Sequence, residues 1–349
     1  MIAKLALVLL VGFLGWSFES IRPPPPKVCG SPDGPPVTAS RVRLKDGRHL
    51  AYKETGVPKE KAAFKIVVIH GFGGSRNFSV PASKDLVEQL RIYFVSYDRA
   101  GYGESDPNPS RSVKTEADDI EQLADHLGLG QRFYVIGVSM GTHSVWGCLK
   151  YIPHRLAGAA LVVPVINYWW PSFPSNLSTE AYKRQLVQDQ WTLRVAHHTP
   201  SLLYWWMTQK WVPSSAVAQR HPEIFSPSDK KIIQHVIKKA NFSFEDKATQ
   251  QGVYESLHRD MLVGFGTWDF DPMDMENPFP NGEASVHIWQ GCEDRLVPFT
   301  LQQFLAKKLS WIEYHEVSDA GHLLLLGKGR SDTVLRALLL GENTSTKSS

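Results

Sequence analysis

The sequence predicts an α/β fold, with a mostly parallel central sheet, helices on both faces and an inserted helical cap. Three observations carry this prediction. Short apolar runs alternate with helical stretches over residues 41–166 and again over 284–342, the pattern of a parallel sheet with helical connections. One run, 132–136, ends in Gly137-Val138-Ser139-Met140-Gly141 and passes into a helix from about Thr142, a strand–turn–helix with serine at the turn. From 167 to 283 the alternation stops, and this helical stretch holds seven of the chain's 11 tryptophans.

The composition is that of an ordinary globular protein: 349 residues, 42% apolar, 21% charged. A net charge of +3 gives no reason to expect a nucleic-acid partner. Cys29, Cys148 and Cys292 are too scattered for a disulfide framework or a zinc site.

Residues 1–18 stand outside the fold. Lys4 precedes an apolar run over 5–18, which is shorter than the ~20 residues of a comfortable membrane span. The run suits the apolar region of a signal sequence. An uncleaved signal anchor, a cleaved signal peptide and an inert apolar tail all stay open. Lys4 on one side and Arg22 and Lys27 on the other leave the orientation undecided. Residues 19–40, with Arg22-Pro-Pro-Pro-Pro-Lys27, read as a semi-rigid linker, a stalk between membrane and domain.

The core begins at 41–54, where apolar and polar residues alternate on both sides of Asp46-Gly47, a tight hairpin. Residues 65–69 are continuously apolar, as a central strand covered on both faces should be. They lead into His70-Gly71-Phe72-Gly73-Gly74-Ser75, where glycines let backbone N–H groups approach a ligand. A helix over 82–90, a strand over 92–97 and a helix over 113–127, stopped by Gly128, precede the serine turn. Residues 156–165 form the next strand.

Within the insertion, helices are expected over 179–197, 201–211 and 228–239, with 257–263 in a fourth. Its aromatics either build the core of the cap or line an apolar acyl pocket. The sheet resumes with a strand over 285–290 that ends in Gly291-Cys292-Glu293-Asp294. A helix over 300–309, a strand over 312–317, a loop at Asp319-Ala320-Gly321-His322 and a closing helix over 332–340 complete the chain.

Taken together, His70-Gly71, Asp98-x-x-Gly101-x-Gly103-x-Ser105, Gly137-x-Ser139-x-Gly141 and the Asp294 and His322 loops resemble the α/β-hydrolase superfamily over about residues 41–340. Within it the chain most resembles plant members with an N-terminal hydrophobic segment and a tryptophan-rich middle. The resemblance implies the α/β-hydrolase fold, a cap inserted after the sixth strand, hydrolase chemistry, and no metal or organic cofactor. Ser139 is then the nucleophile, His322 the base and Asp294 the residue that orients it, in the chain order Ser…Asp…His. Backbone N–H groups of Phe72 and Met140 would form the oxyanion hole. Glu293, next to Asp294, is the rival acid; the spacing to Val297-Pro298 favours Asp294. His70 braces the oxyanion loop in this reading, and His143, His287 and His315 are structural. Serine at 139 argues against the epoxide-hydrolase and dehalogenase branch, which needs a carboxylate there.

The expected activity is that of a serine carboxylesterase or lipase-like enzyme on an apolar ester. A peptidase or amidase of the same fold, or a ligand receptor that keeps the triad, remains as the alternative. Four Asn-x-Ser/Thr sequons, at Asn77, Asn176, Asn241 and Asn343, join the apolar N-terminus in pointing to the secretory lumen or the exterior. A glycan at Asn77 would crowd the oxyanion loop, so that sequon is expected to be unmodified.

Overall fold

The computed structural model describes residues 2–239 and 246–342. Strands β1 (Ser40–Arg43) and β2 (His49–Gly56) form the antiparallel hairpin around Asp46-Gly47. Gly47 has φ +92°, a value that an L side chain rarely adopts. Strands β3 (Phe64–Ile69), β4 (Ile92–Tyr97), β5 (Phe133–Val138), β6 (Leu156–Val162), β7 (Val286–Gly291) and β8 (Ile312–Val317) follow. All eight make one sheet in the order β1-β2-β4-β3-β5-β6-β7-β8, parallel from β4 onward.

The continuous apolar run of β3 is explained by packing on both faces. Val67 and Ile69 face a core with Ile120, Leu123 and Val145; Ile66 and Val68 face another with Val334, Leu335 and Leu338. Those partners belong to the helices Val113–His126, Thr142–Tyr151 and Arg330–Leu340. The first of these starts in a capping box between Ser112 and Thr115, worth about 1 kcal/mol, and Gly128 at φ +61° follows its end.

Between β6 and β7 lie the helices Ser175–Lys183, Val187–His198, Leu203–Thr208, Pro227–Lys239 and Arg259–Phe265. The single helix expected over 179–197 is two. Gln190 explains the break: its Nε2 donates to Lys183 O (3.3 Å) and Gln185 O (2.8 Å), capping carbonyls that helix continuation would otherwise satisfy. The helix expected over 201–211 is a 3₁₀ turn, Pro200–Leu202, followed by Leu203–Thr208. The fourth is preceded by a wide π turn, Tyr254–His258.

Two expectations for the N-terminus are revised. Residues Ile2–Ile21 form a 20-residue helix, but its apolar run stops at Glu19, and among the described residues no helix is long and apolar enough to cross a membrane. The structure therefore does not support a transmembrane signal anchor over 1–18. The linker does not stand off as a stalk either. Lys27 N donates to Gln251 O (2.9 Å), Cys29 N to Gln251 Oε1 (2.8 Å) and Thr38 N to Glu104 Oε2 (2.7 Å), so residues 27–38 lie along the domain.

Candidate active site

The serine turn is built by close approach. Ser139 has φ +54°, a strained value for a residue with a side chain. A Cβ on Gly137 would lie 2.6 Å from Val145 Cγ2, and one on Gly141 would lie 2.5 Å from Ile69 O. Both glycines are thus required by packing, and Ser139 is pushed up at the C-terminal end of β5. Ligands bind in open α/β sheets at this end of the strands.

The C-terminal ends of β7 and β8 bring the partners. Ser139 Oγ and His322 Nε2 are 2.9 Å apart, and His322 Nδ1 and Asp294 Oδ2 are 2.8 Å apart. With Asp294 ionised, Nδ1 donates to it and Nε2 is left to accept from the serine hydroxyl. Asp294 also accepts from Leu296 N (2.8 Å), Val297 N (3.0 Å) and Gln290 Nε2 (3.3 Å), so its orientation is fixed. Glu293 is exposed and its backbone N–H bonds Ala320 O; Asp294 is the acid that meets His322. Burial works against a charged His322, but the charge and hydrogen bond of Asp294, and the charge of Asp229, outweigh it and raise the imidazole above its ordinary pKa.

Gly71 closes the other side: a Cβ there would lie 3.0 Å from Ser139 Cβ. Phe72 and Met140, the expected oxyanion donors, line one cavity with Ser139 and His322. His70 braces this loop. Burial lowers its pKa to about 3, so it is neutral. Its Nε2 accepts from Arg99 N (3.1 Å), which leaves Nδ1–H to donate to Gly71 O (2.8 Å). Asp98 supports the far end of the loop, accepting from Arg76 N (2.6 Å) and Glu104 N (2.9 Å). Gly103, at φ +50°, leaves room for it; a Cβ there would lie 2.1 Å from Asp98 Oδ2. The Asp98-x-x-Gly101-x-Gly103 pattern is therefore a brace for the glycine-rich loop after β3.

The cavity is small, about 80 Å³. Phe72, Val165, Ile166, Leu193, Met261 and Phe265 supply apolar walls, with Gln185, Asp189, Thr192 and Ser215 as polar ones. Gln185, Asp189 and Leu296 also line a larger outer chamber of about 620 Å³, which contains Arg184, Glu223, Glu293 and Arg295. No tryptophan is among the residues lining either space. Trp169 stacks on His197 (4.3 Å between ring centres), Trp170 packs on Phe173 and Trp268, and Trp205 meets Trp211. These tryptophans pack within the cap, while two other aromatics of the insertion, Tyr168 and Phe265, line the cavity.

Two residues that sequence reasoning did not assign stand out. Asp260 of the cap is paired with Arg99 and Arg111 of the core, and Asp229 of the cap reaches the His322 loop. A capping pattern at Ser226-Pro227-Ser228-Asp229 was the only local signal for either. Among the described residues, one group brings three metal-type donors within 4.8 Å: His287, Glu313 and His315. It lies on β7 and β8, toward the strand ends opposite the serine. His287 Nδ1 and His315 Nε2 meet at 3.0 Å, a hydrogen-bond distance, with the ring centres 5.3 Å apart, so the nitrogens face each other directly.

A serine at a strained strand–helix turn, a histidine and an aspartate on neighbouring strand ends and a cap above them define a hydrolase of α/β architecture. The chain belongs to the alpha/beta hydrolase family, whose sequence profile residues 66–336 match. Among curated relatives, "Putative carbamate hydrolase RutD" of Caulobacter segnis is 24% identical over 261 residues, covering 74% of this chain and 84% of the relative. Its counterpart in Caulobacter vibrioides is 23% identical, covering 74% and 82%. Among solved structures, the fold matches a thermophilic esterase from Thermogutta terrifontis (TM-score 0.57, 20% identity, 86% of this chain and 98% of that one). It also matches the enol-lactonase from Burkholderia xenovorans LB400 (TM-score 0.56, 15% identity, 87% and 100%).

Proposed function

We propose that this chain is a serine hydrolase working through an acyl-enzyme, with carboxylic esters of short acyl groups as substrates. The observation that carries the reading is the continuous relay Asp294–His322–Ser139, ending on a strained serine at the wall of a small cavity. In this mechanism His322 Nε2 takes the Ser139 proton as Oγ attacks the ester carbonyl. Asp294 holds the tautomer and stabilises the imidazolium that forms. The Phe72 and Met140 N–H groups receive the oxyanion, each donor worth roughly 3–4 kcal/mol. His322 then returns its proton to the leaving alcohol. Water, activated by the same imidazole, attacks the acyl-Ser139 carbonyl, and Oγ leaves with its proton restored.

The size of the acyl group follows from the cavity. A cavity of about 150 Å³ holds benzene; about 80 Å³ suits an acetyl-to-butyryl group. Medium-chain apolar esters are therefore not the favoured class. A second reading, hydrolysis of a small carbamate, is favoured by Asp189, a buried carboxylate on the cavity wall that can accept from a substrate N–H. It also fits the carbamate hydrolase description of the Caulobacter relatives.

Fluorophosphonate labelling tests the core of the proposal. The wild type takes the label and folded Ser139→Ala does not; label retained by folded Ser139→Ala refutes it. Multiple turnover of 4-nitrophenyl acetate by the unlabelled wild type distinguishes a hydrolase from a receptor that keeps the triad. We also infer a lumenal or extracellular setting, supported by the apolar run at 5–18 and the four sequons.

A further inference from the structure

Asp229 lies in the first turn of the cap helix Pro227–Lys239, and its side chain is fully buried. One part of its role is local. Ser226 Oγ accepts from Asp229 N (3.1 Å), and Asp229 Oδ2 accepts from Ser226 N (3.1 Å), a reciprocal capping box at the helix start. Such a box needs nothing from the rest of the protein. Here the same carboxylate also accepts from His322 N (3.1 Å, at Oδ2) and Leu323 N (2.8 Å, at Oδ1). Those two donors belong to a loop of the core, 93 and 94 residues away. The preceding residue has to be glycine for this to happen, since a Cβ on Gly321 would lie 2.3 Å from Asp229 Oδ2.

The geometry points to Asp229 as a positioning residue that ties the cap to His322, so that the base stands in register with Ser139 only while the cap helix is seated. The inference rests on the serine-hydrolase reading and adds to it. The His322 ring is held by Asp294 at Nδ1 and meets Ser139 at Nε2; neither contact fixes the backbone that carries the ring. Asp229 fixes it, from an element that any opening of the cap displaces. A carboxylate does this better than a neutral group because bonds from N–H donors to a charged acceptor are stronger. Asparagine at this position would keep one acceptor oxygen and turn an NH₂ toward the other backbone N–H. A displacement of about 1 Å at a catalytic group costs about 10²-fold in rate.

The test compares Asp229→Asn with Ser226→Ala in the full chain. Ser226→Ala removes the bond from Asp229 N, and Asp229→Asn leaves one of the two carboxylate positions, facing either Leu323 N or both Ser226 N and His322 N, without an acceptor; both are expected to lower thermal stability. Only Asp229→Asn takes an acceptor from the His322 loop. It is expected to lower kcat on 4-nitrophenyl acetate by about 10- to 100-fold, with KM within about twofold, and to slow fluorophosphonate labelling of Ser139 in proportion. Ser226→Ala is expected to keep kcat within about twofold, because the carboxylate still reaches residues 322 and 323. Equal kcat in folded Asp229→Asn and the wild type overturns the inference, as does an equal loss in both variants. If the wild type is not labelled at Ser139, the hydrolase reading itself fails; if it is labelled and Asp229→Asn reacts equally fast, only the coupling fails.

Discussion

Asp260 of the cap lies between two arginines of the core, 2.6 Å from Arg99 Nη2 and 2.8 Å from Arg111 Nη2, and all three side chains are almost completely buried. Tyr102 OH adds a third donor at 2.8 Å, and Glu116 supplies the second negative charge through Arg111. This cluster joins the cap to the sheet on the side away from Asp229.

Breaking it should be costly. Asp260→Ala leaves two buried guanidinium groups short of charge and is expected to destabilise the fold by about 3–5 kcal/mol, read from denaturant unfolding. Burial alone would raise the Asp260 pKa, but Arg99 and Arg111 outweigh it and hold the carboxyl well below the usual range. Because the folded pKa lies below the unfolded one, this contribution is complete above about pH 4 and is lost as pH falls further. Asp260→Ala should therefore flatten the acid limb of the wild-type stability curve; an unchanged limb contradicts the assignment.

His322 must be neutral to accept the Ser139 proton. Since Asp294 and Asp229 raise its pKa against burial, kcat/KM should rise with pH through a midpoint above the ordinary imidazole value of about 6.5. Asp294→Asn should lower that midpoint and reduce kcat by about 10⁴-fold, the size of this change in a serine–histidine–aspartate triad. Glu293→Gln, on an exposed side chain, should do neither. The reverse ranking would return the acid to Glu293.

The acyl series is a direct measure of the cavity. With 4-nitrophenyl esters, kcat/KM should be highest between acetate and butyrate and fall by at least tenfold at octanoate. Leu193→Ala or Met261→Ala should move the optimum to longer chains, since both side chains wall the cavity. A maximum at octanoate in the wild type would contradict the short-acyl reading of the cavity.

Expression in a secretory host tests the setting. Asn176 is exposed at the start of the helix Ser175–Lys183, so a shift on endoglycosidase treatment should disappear in part in Asn176→Gln. Asn77 is exposed beside the oxyanion loop and is expected to stay unmodified. Asn241 and Asn343 lie outside the described residues. No mobility change in the wild type would argue against a lumenal domain.

The sheet was legible because its signals are local. A continuous apolar run such as 65–69 can be satisfied only by cover on two faces, and glycines 137 and 141 mark the serine turn through clashes that their absence of Cβ avoids. Ser139, Asp294 and His322, which the structure brings within hydrogen-bond distance of one another in sequence, could be singled out because each lies in the segment after a strand. The cap was less legible. The break between Lys183 and Val187 depends on a side chain, Gln190, that caps carbonyls a few residues back, and hydrophobic periodicity carries no trace of that. The tryptophan content allowed both a pocket and a cap core, since aromatic composition does not say which way a ring faces. Asp229 and Asp260 were beyond sequence reasoning for a different reason: their partners lie roughly 90 to 160 residues away.

The cap leaves the sheet after β6 and returns at β7, and these strands are hydrogen-bonded neighbours, Val162 opposite Trp289. Because the pair is parallel, the chain leaves at the C-terminal end of β6 and re-enters at the N-terminal start of β7, where Val286 lies opposite Ala159, so the insertion also spans the length of the strands. Ser139, Asp294 and His322 lie in the turns and loops after β5, β7 and β8. The insertion interrupts no strand of the sheet, which makes the cap a cassette: its length and lining can be exchanged while the strand order stays as it is. The limit on exchange is set by two carboxylates. A cap grafted from another member of the fold would cover Ser139, but unless it carries counterparts of Asp229 and Asp260 it would leave the histidine loop without its cap acceptor and two core arginines sharing one counter-charge, Glu116.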